Sequence, residues 1–361
     1  WAADFPLTAK RLEWFLDKEI GEKVDGVIAV DVHAIEKFLQ VSGPVKLTDY
    51  DETVDSSNLF QKAEFRTEIN FFPGSTQKRD YLNAVLGGIL GKISSGSIDS
   101  PGLAASALAG ALREKNVLFY FNNNDVQRAL VNNGFAGEIR PEYCQDVTNP
   151  CLSVIDSNLG ANKANYYVKR SFDVTATISK SGQVDYMIKI NYQNDSPSNT
   201  WPGGDYKNYL RLLVSQGTNL TSFDQHDSRQ MVVSPTLTAK NLAKLNIDQF
   251  FVHQSTESGY TSFGSLVTVP VLSQKEVVLK FSSPQKVDLQ SAHPKFSLNW
   301  IKQPGTLPEE IRFNLEYPSF LRVENLGAGN KNNYLVLRQK LVYNTRLEAD
   351  KNLSVNFSII K

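Results

Sequence analysis

Cysteine, methionine and histidine are scarce in this sequence, and each shortage removes a class of chemistry. The four histidines, His33, His226, His253 and His293, are scattered and no HExxH occurs, so the paired ligands of a zincin helix are missing. No GxSxG is present, which removes the usual nucleophile elbow, and no stretch reads as an EF-hand loop. Two cysteines without an adjacent histidine do not make a structural zinc site. Charge of one sign is lacking too. Lys+Arg and Asp+Glu both number 38, giving a formal net charge of zero, so the electrostatic footprint of a nucleic-acid binder is absent. No uninterrupted apolar run approaches the ~20 residues that span a bilayer. The chain opens WAADFPLTAK, without an initiator Met, a basic n-region or an h-region. It reads as a piece of something longer.

What is present is ordinary for a globular protein, 41% hydrophobic and 21% charged, in a chain whose 361 residues suggest two or three domains. The cysteines, Cys144 and Cys151, enclose a turn-rich spacer in YCQDVTNPCLSV, which suits a disulfide-closed loop and an oxidising compartment; two free thiols are the alternative.

The character of the sequence changes near residue 165. Before it, helical and strand-like patterns alternate. DFPLTAKRLEWFLDKEIG places Leu12, Phe15, Leu16 and Ile20 at helical spacing between Pro6 and Gly21. DGVIAVD is an apolar run short enough for a strand, and VHAIEKFLQVSGP is a helix stopped by Gly43 and Pro44. Further helices are expected at about 56–66, 77–94 and 101–115, the last with Ser100 as N-cap and Pro101 in its first turn. A strand at 116–121 and a helix closed by Gly134 follow. This alternation predicts an α/β domain over 1–165. LGGILGKIS, at 86–94, suggests a P-loop but lacks its first glycine and its Ser/Thr, and lies inside a helical pattern.

After ANYYVKR, nine alternating, β-branched segments are separated by Ser/Gly/Asn/Pro-rich turns. They predict two β-sandwiches of immunoglobulin type, at 166–284 and 285–361.

Four groups of residues are candidates for function. Asp31 ends the first strand, where open α/β sheets bind ligands, but an Asp before a helix is also an N-cap. Arg66, Lys78 and Arg79 stand at facing ends of two helices and suit an anion such as a pyrophosphate; ion pairing with Glu64, Glu68 and Asp80 is the alternative. Asn158, Gly160, Asn162 and Lys163 form a polar turn that is either a ligand loop or an interdomain seat. Trp201, Tyr206 and Tyr209 in NTWPGGDYKNYLRL are aromatics that anchor a partner or fill the sandwich. Asn194, Asn219, Asn352 and Asn356 are glycosylation sequons, relevant only to a eukaryotic secretory protein.

Three stretches in order, VDGVIAVDVHAIEKFLQVSGPVKL, KRDYL and DSNLGANKANYYVKR, resemble the bacterial domain family of unknown function 4012. DFPLTAKRLEWF ahead of them and IKQPGT late in the chain resemble it as well. The resemblance implies a bacterial envelope protein with its folded part outside the membrane. It also implies an N-terminal transmembrane anchor absent from this chain. The first part is similar, less closely, to the LytR-CpsA-Psr domain, with Gly43-Pro44-Val45 in place of that family's Gly-Gly-Val, AEFR for its Tyr-x-Arg helix end and QKRDYLNAVL for its Arg- and Gln-bearing helix. Those enzymes transfer glycopolymer from a polyprenyl-pyrophosphate carrier to the cell wall, using arginines and an acid with a divalent metal. The resemblance thus implies Arg66 and Arg79 as pyrophosphate ligands, Mg²⁺ as cofactor and a lipid-linked precursor as partner. No glutamine stands beside Arg79. The competing expectation is a non-catalytic adhesion or scaffold protein with a surface-protein partner.

Overall fold

In the computed structural model, residues 2–68, 76–98, 100–139, 150–227, 229–236, 238, 243–327 and 334–360 are described, the side chains of 66–68 and 77–79 excepted. The fold is α+β and dominated by strands in two large sheets. The chain divides into two compact units. One comprises Phe5–Glu138 with Pro304–Leu307; the other comprises Trp1–Asp4, Ile139–Gln303 and Pro308–Lys361.

The first unit contains α1 (Phe5–Ile20), β1 (Gly26–Val30), α2 (Val32–Ser42), β2 (Val45–Leu47), β3 (Glu52–Val54), α3 (Leu59–Glu68), α4 (Gln77–Ser94), α5 (Pro101–Arg113), β4 (Val117–Phe121) and α6 (Asn124–Asn132). These elements follow the helical periodicities closely. Ser100 takes the cap position of α5, although its hydroxyl makes no capping bond. The pairing departs from expectation, because β1 and β4 run antiparallel, Val30 opposite Val117, and form a sheet of only two strands. Alternation of helices and strands along a chain does not fix strand direction, and here four helices and the β2–β3 hairpin intervene. Phe5 and Ala9 of α1 pack on Leu118 and Tyr120 on one face of this pair. Ala34 and Ala111 meet Val117 on the other. A separate cluster joins Leu39, Val45, Leu47, Val54, Leu59, Tyr81, Val85 and Ile89. Gly88 belongs to that contact, since a Cβ there would lie 2.2 Å from Val45 Cγ1. The P-loop-like glycines therefore lie in a helix, and this one admits the β2 side chain.

The second unit contains β5 (Cys151–Asn158), α7 (Ala164–Tyr167), β6 (Val168–Ile178), β7 (Gln183–Asn194), β8 (Tyr206–Val214), β9 (Asn219–Asp224), β10 (Gln230–Ser234), β11 (Gln249–Glu257), β12 (Tyr260–Val269), β13 (Ser273–Lys286), β14 (Lys295–Ile301), β15 (Glu309–Glu316), β16 (Leu321–Leu326), β17 (Tyr334–Leu337), β18 (Lys340–Leu347) and β19 (Lys351–Ile359). They form an eight-stranded sheet, β10-β11-β12-β8-β5-β14-β19-β16, and a seven-stranded sheet, β17-β18-β15-β6-β7-β13-β9.

The two sandwiches expected in series are fused. In the first sheet β5 pairs in parallel with β14, and in the second β6 pairs in parallel with β15. Each pairing covers an edge that a separate sandwich would leave open. One hydrophobic cluster accordingly runs from Leu152 and Phe172 through Trp300 and Phe313 to Phe357. Fifteen strands exceed the seven to nine of an immunoglobulin domain. The expected boundary at 284 falls within β13, and the one at 165 falls within α7. One of the nine expected strands, at 334–344, is instead the β17–β18 hairpin, turning at Arg338, whose φ is 48°. No Gly, Pro or Asn marks that turn, which is why it escapes a composition-based reading.

Candidate functional site

Asp31 lies where β1 hands over to α2. Its backbone is extended, and its Oδ1 accepts the Ala34 N–H at 2.8 Å, closing the first turn of α2. The other carboxylate oxygen, Oδ2, accepts Asn116 Nδ2–H at 2.8 Å, while the Asp31 N–H donates to the Asn116 carbonyl at 3.0 Å. Asn116 Oδ1 in turn accepts from Lys37 Nζ at 3.0 Å, and Lys37 is paired with Glu114. Both oxygens of Asp31 are engaged in holding β1, α2 and the start of β4 together. Sequence reasoning names the residue and the cap; it does not find Asn116.

Arg66 lies in the last turn of α3, and Lys78 and Arg79 in the first turn of α4. Their side chains lie outside the described residues, as does Cys144; Cys151 is buried where β5 begins.

The polar turn after β5 is built on Asn158, whose Nδ2 donates to Asn162 O and Oδ1 at 3.0 Å, and whose Oδ1 accepts the Gly160 N–H at 2.9 Å. Asn162 Nδ2 donates to the Asp205 carbonyl, and the Lys163 N–H to the Pro202 carbonyl. These partners all belong to the sandwich unit, so the loop ties two loops of one sandwich together. Trp201 is at the tip of the second of these loops. Tyr206 is in the core, and the Tyr209 hydroxyl lies 3.3 Å from His253 Nδ1.

Among the described residues, the most heavily buried ionic cluster joins three residues that no sequence motif marks. Arg170 at the start of β6 points between the sheets, its Nη1 2.8 Å from Asp156 Oδ2 and its Nε 2.5 Å from Glu309 Oε1. Asp156 Oδ1 also accepts from Tyr192 OH at 2.9 Å and Asn208 Nδ2 at 2.6 Å. Gln303 clasps the Asp156 backbone, accepting from its N–H at 2.8 Å and donating to its C=O at 2.9 Å. The Arg170 guanidinium lies over the Phe172 ring at 5.1 Å. Burial by itself works to lower the Arg170 pKa, but Asp156 and Glu309 more than reverse it, so the guanidinium stays charged. Burial raises the pKa of Glu309, opposed by Arg170. Tyr192 and Tyr206 are held protonated by burial and by the Asp156 charge.

A signal for this cluster exists in the pattern. Arg170 shares strand parity with the inward Phe172 and Val174, Glu309 with Ile311 and Phe313, and Asp156 with Leu152 and Val154. Three charged residues at inward positions of three strands are legible once the register is known.

Among the described residues, no three His, Cys, Asp or Glu side chains gather as a metal-binding group, and no helix is long and apolar enough to cross a membrane.

Among solved structures, the chain is similar to a Legionella pneumophila protein described as nutrient-binding, at 7% identity and a TM-score of 0.34, covering 58% of this chain and 71% of that one. It is also similar to an M1 zinc metallopeptidase of Deinococcus radiodurans, at 9% identity and a TM-score of 0.27, covering 53% of this chain and 42% of the peptidase. The chain therefore spans less than half the length of the peptidase it matches. No curated protein matches it. The stretches KRDYL, DSNLGANKANYYVKR and IKQPGT lie beyond the family match, which is confined to the N-terminal end. There, over residues 1–66, the chain matches the family described as Protein of unknown function (DUF4012).

Proposed function

We propose that this chain is the extracytoplasmic part of a bacterial cell-envelope protein, acting as a non-catalytic adhesion or scaffold element. The observation that carries this is the state of Asp31. Both of its carboxylate oxygens accept hydrogen bonds, from Ala34 N–H and Asn116 Nδ2–H, which favours a capping role over a catalytic one. The fused sandwich, closed internally on Arg170, Asp156 and Glu309, suits a stiff presenting module.

An oxidising location would accord with a Cys144–Cys151 disulfide, and among the described residues no cysteine is free. Alkylation under denaturing conditions without reductant is expected to add no label, and two labels after reduction. Two labels without reductant would remove this support.

A second reading keeps a divergent LytR-CpsA-Psr-like protein that binds or transfers polyprenyl-pyrophosphate-linked glycopolymer with Mg²⁺. It is favoured by the positions of Arg66 at the end of α3 and of Lys78 and Arg79 at the start of α4. Calorimetry with a polyprenyl-pyrophosphate analogue, with and without Mg²⁺, separates the two. No saturable heat is expected with this chain or with the full extracellular region. Saturable binding lost in Arg66→Ala and Arg79→Ala would overturn the scaffold assignment in favour of the transferase-like site.

A further inference from the structure

One end of the sandwich carries three loops locked to each other by hydrogen bonds: residues 159–163 after β5, 195–205 between β7 and β8, and 270–272 between β12 and β13. The Leu159 N–H donates to the Lys207 carbonyl at 2.7 Å, and the Lys163 N–H to the Pro202 carbonyl at 2.8 Å. Asp205 joins all three loops, its carbonyl accepting from Asn162 Nδ2 at 3.0 Å and its Oδ1 from the Val271 N–H at 3.1 Å. Asn194 braces them from inside, its Nδ2 donating to the Gly204 and Val269 carbonyls at 3.0 Å each.

This braced platform presents apolar tips. Leu159 is 60% exposed, Trp201 39% and Leu272 72%. Leu272 adopts a φ of 52°, a left-handed conformation in which leucine is an uncommon choice and Gly or Asn the usual one. A leucine in this conformation, facing solvent, is not explained by packing within the sandwich. Lys163, Lys169 and Lys207 stand on or beside these loops against Asp195 and Asp205, an excess of one positive charge, with Lys169 paired to Asp195 at 2.8 Å.

We propose that this loop end docks on an anionic lipid surface, with Leu159, Trp201 and Leu272 entering the interface and the lysines meeting the headgroups. Separate tips on different loops suit a fluid interface, whereas a protein partner needs a matching pocket for each. Trp and Lys are side chains that settle at the headgroup level, and basic residues near such a surface add an attraction that salt screens. The inference is independent of whether the protein is a scaffold or a transferase.

The test is co-sedimentation of the chain with vesicles of equal parts phosphatidylglycerol and phosphatidylcholine, and with phosphatidylcholine alone. The chain is expected to partition onto the anionic vesicles more strongly, and less so at high salt. Leu272→Asp and Leu159→Asp are each expected to lower that partition about tenfold, the factor that follows from losing the burial of one leucine. Leu335→Asp, equally exposed but on β17 at the edge of the sandwich, is expected to leave it unchanged. Because all three positions are exposed, the melting temperature of each variant should match that of the parent. An unvaried chain that stays in the supernatant would overturn the proposal, and so would a protein partner that takes the platform while vesicles do not. Equal loss in Leu335→Asp, or retention in both loop variants, would overturn it as well.

Discussion

Replacing Arg170 by methionine removes the guanidinium that contacts both Asp156 and Glu309. The side chains of Arg170, Asp156 and Glu309 are 5%, 10% and 6% exposed, so water does not replace the lost partner. Tyr192 and Asn208 still donate to Asp156, whereas Glu309 loses its ion pair and keeps the attraction of buried Lys302. Removing one partner of a buried ion pair typically costs about 3–5 kcal/mol, a large share of the ~5–15 kcal/mol that holds a domain together. For a unit of this size the melting temperature should fall by roughly 10 °C. The loss should depend on pH in a defined sense. Burial already holds the Glu309 pKa above its ordinary value, and Arg170 is what opposes that rise. In the variant it climbs further, so the folded state binds a proton that the unfolded chain releases as pH passes the ordinary glutamate range. Stability must then fall as pH rises through that interval, and the deficit against the parent should be smallest in acid. Urea unfolding of Arg170→Met at acid and neutral pH measures both. Adding Asp156→Asn and Glu309→Gln should recover most of the loss, since an uncharged cluster needs no counter-ion. A cost below about 1 kcal/mol at neutral pH, where buried-pair disruption predicts several, would refute the account of the core.

Asp31→Ala should destabilise the first unit by about 1–2 kcal/mol through loss of the α2 cap, with Asp31→Ser recovering part of it; hydrogen exchange in the first turn of α2 is the direct readout. Unchanged protection there would mean that the cap is not what holds the turn. Gly182 turns the β6–β7 hairpin with φ of 82°, and a Cβ there would lie 2.2 Å from the Val287 carbonyl oxygen. Gly182→Ala should therefore cost more than the ~1–2 kcal/mol of a left-handed residue alone, read as a shift in the denaturant midpoint. A neutral result would require the 287 backbone to yield without penalty.

Local structure in this chain was largely written in the sequence. Helix α4 occupies the 77–94 expected from periodicity, α2 begins after Asp31 and stops at Gly43, and the alternating segments beyond residue 165 are strands. These features depend on neighbours a few residues away: caps, breakers and the two- or 3.6-residue repeat of apolar side chains. The sequence also singled out Asp31 and named capping as one of its roles. The tertiary structure decided which strands meet. The pairing of β5 with β14 joins residues near 152 and 300, and that of β6 with β15 joins 172 and 311; each turns two expected sandwiches into one. It also gathered Asp156, Arg170 and Glu309, separated by as many as 153 positions, around one buried guanidinium. Strand alternation tells which residues point inward but not which strand lies beside which. Pairing across such distances is settled by the shared core, and by edges that cost less when covered than when left open.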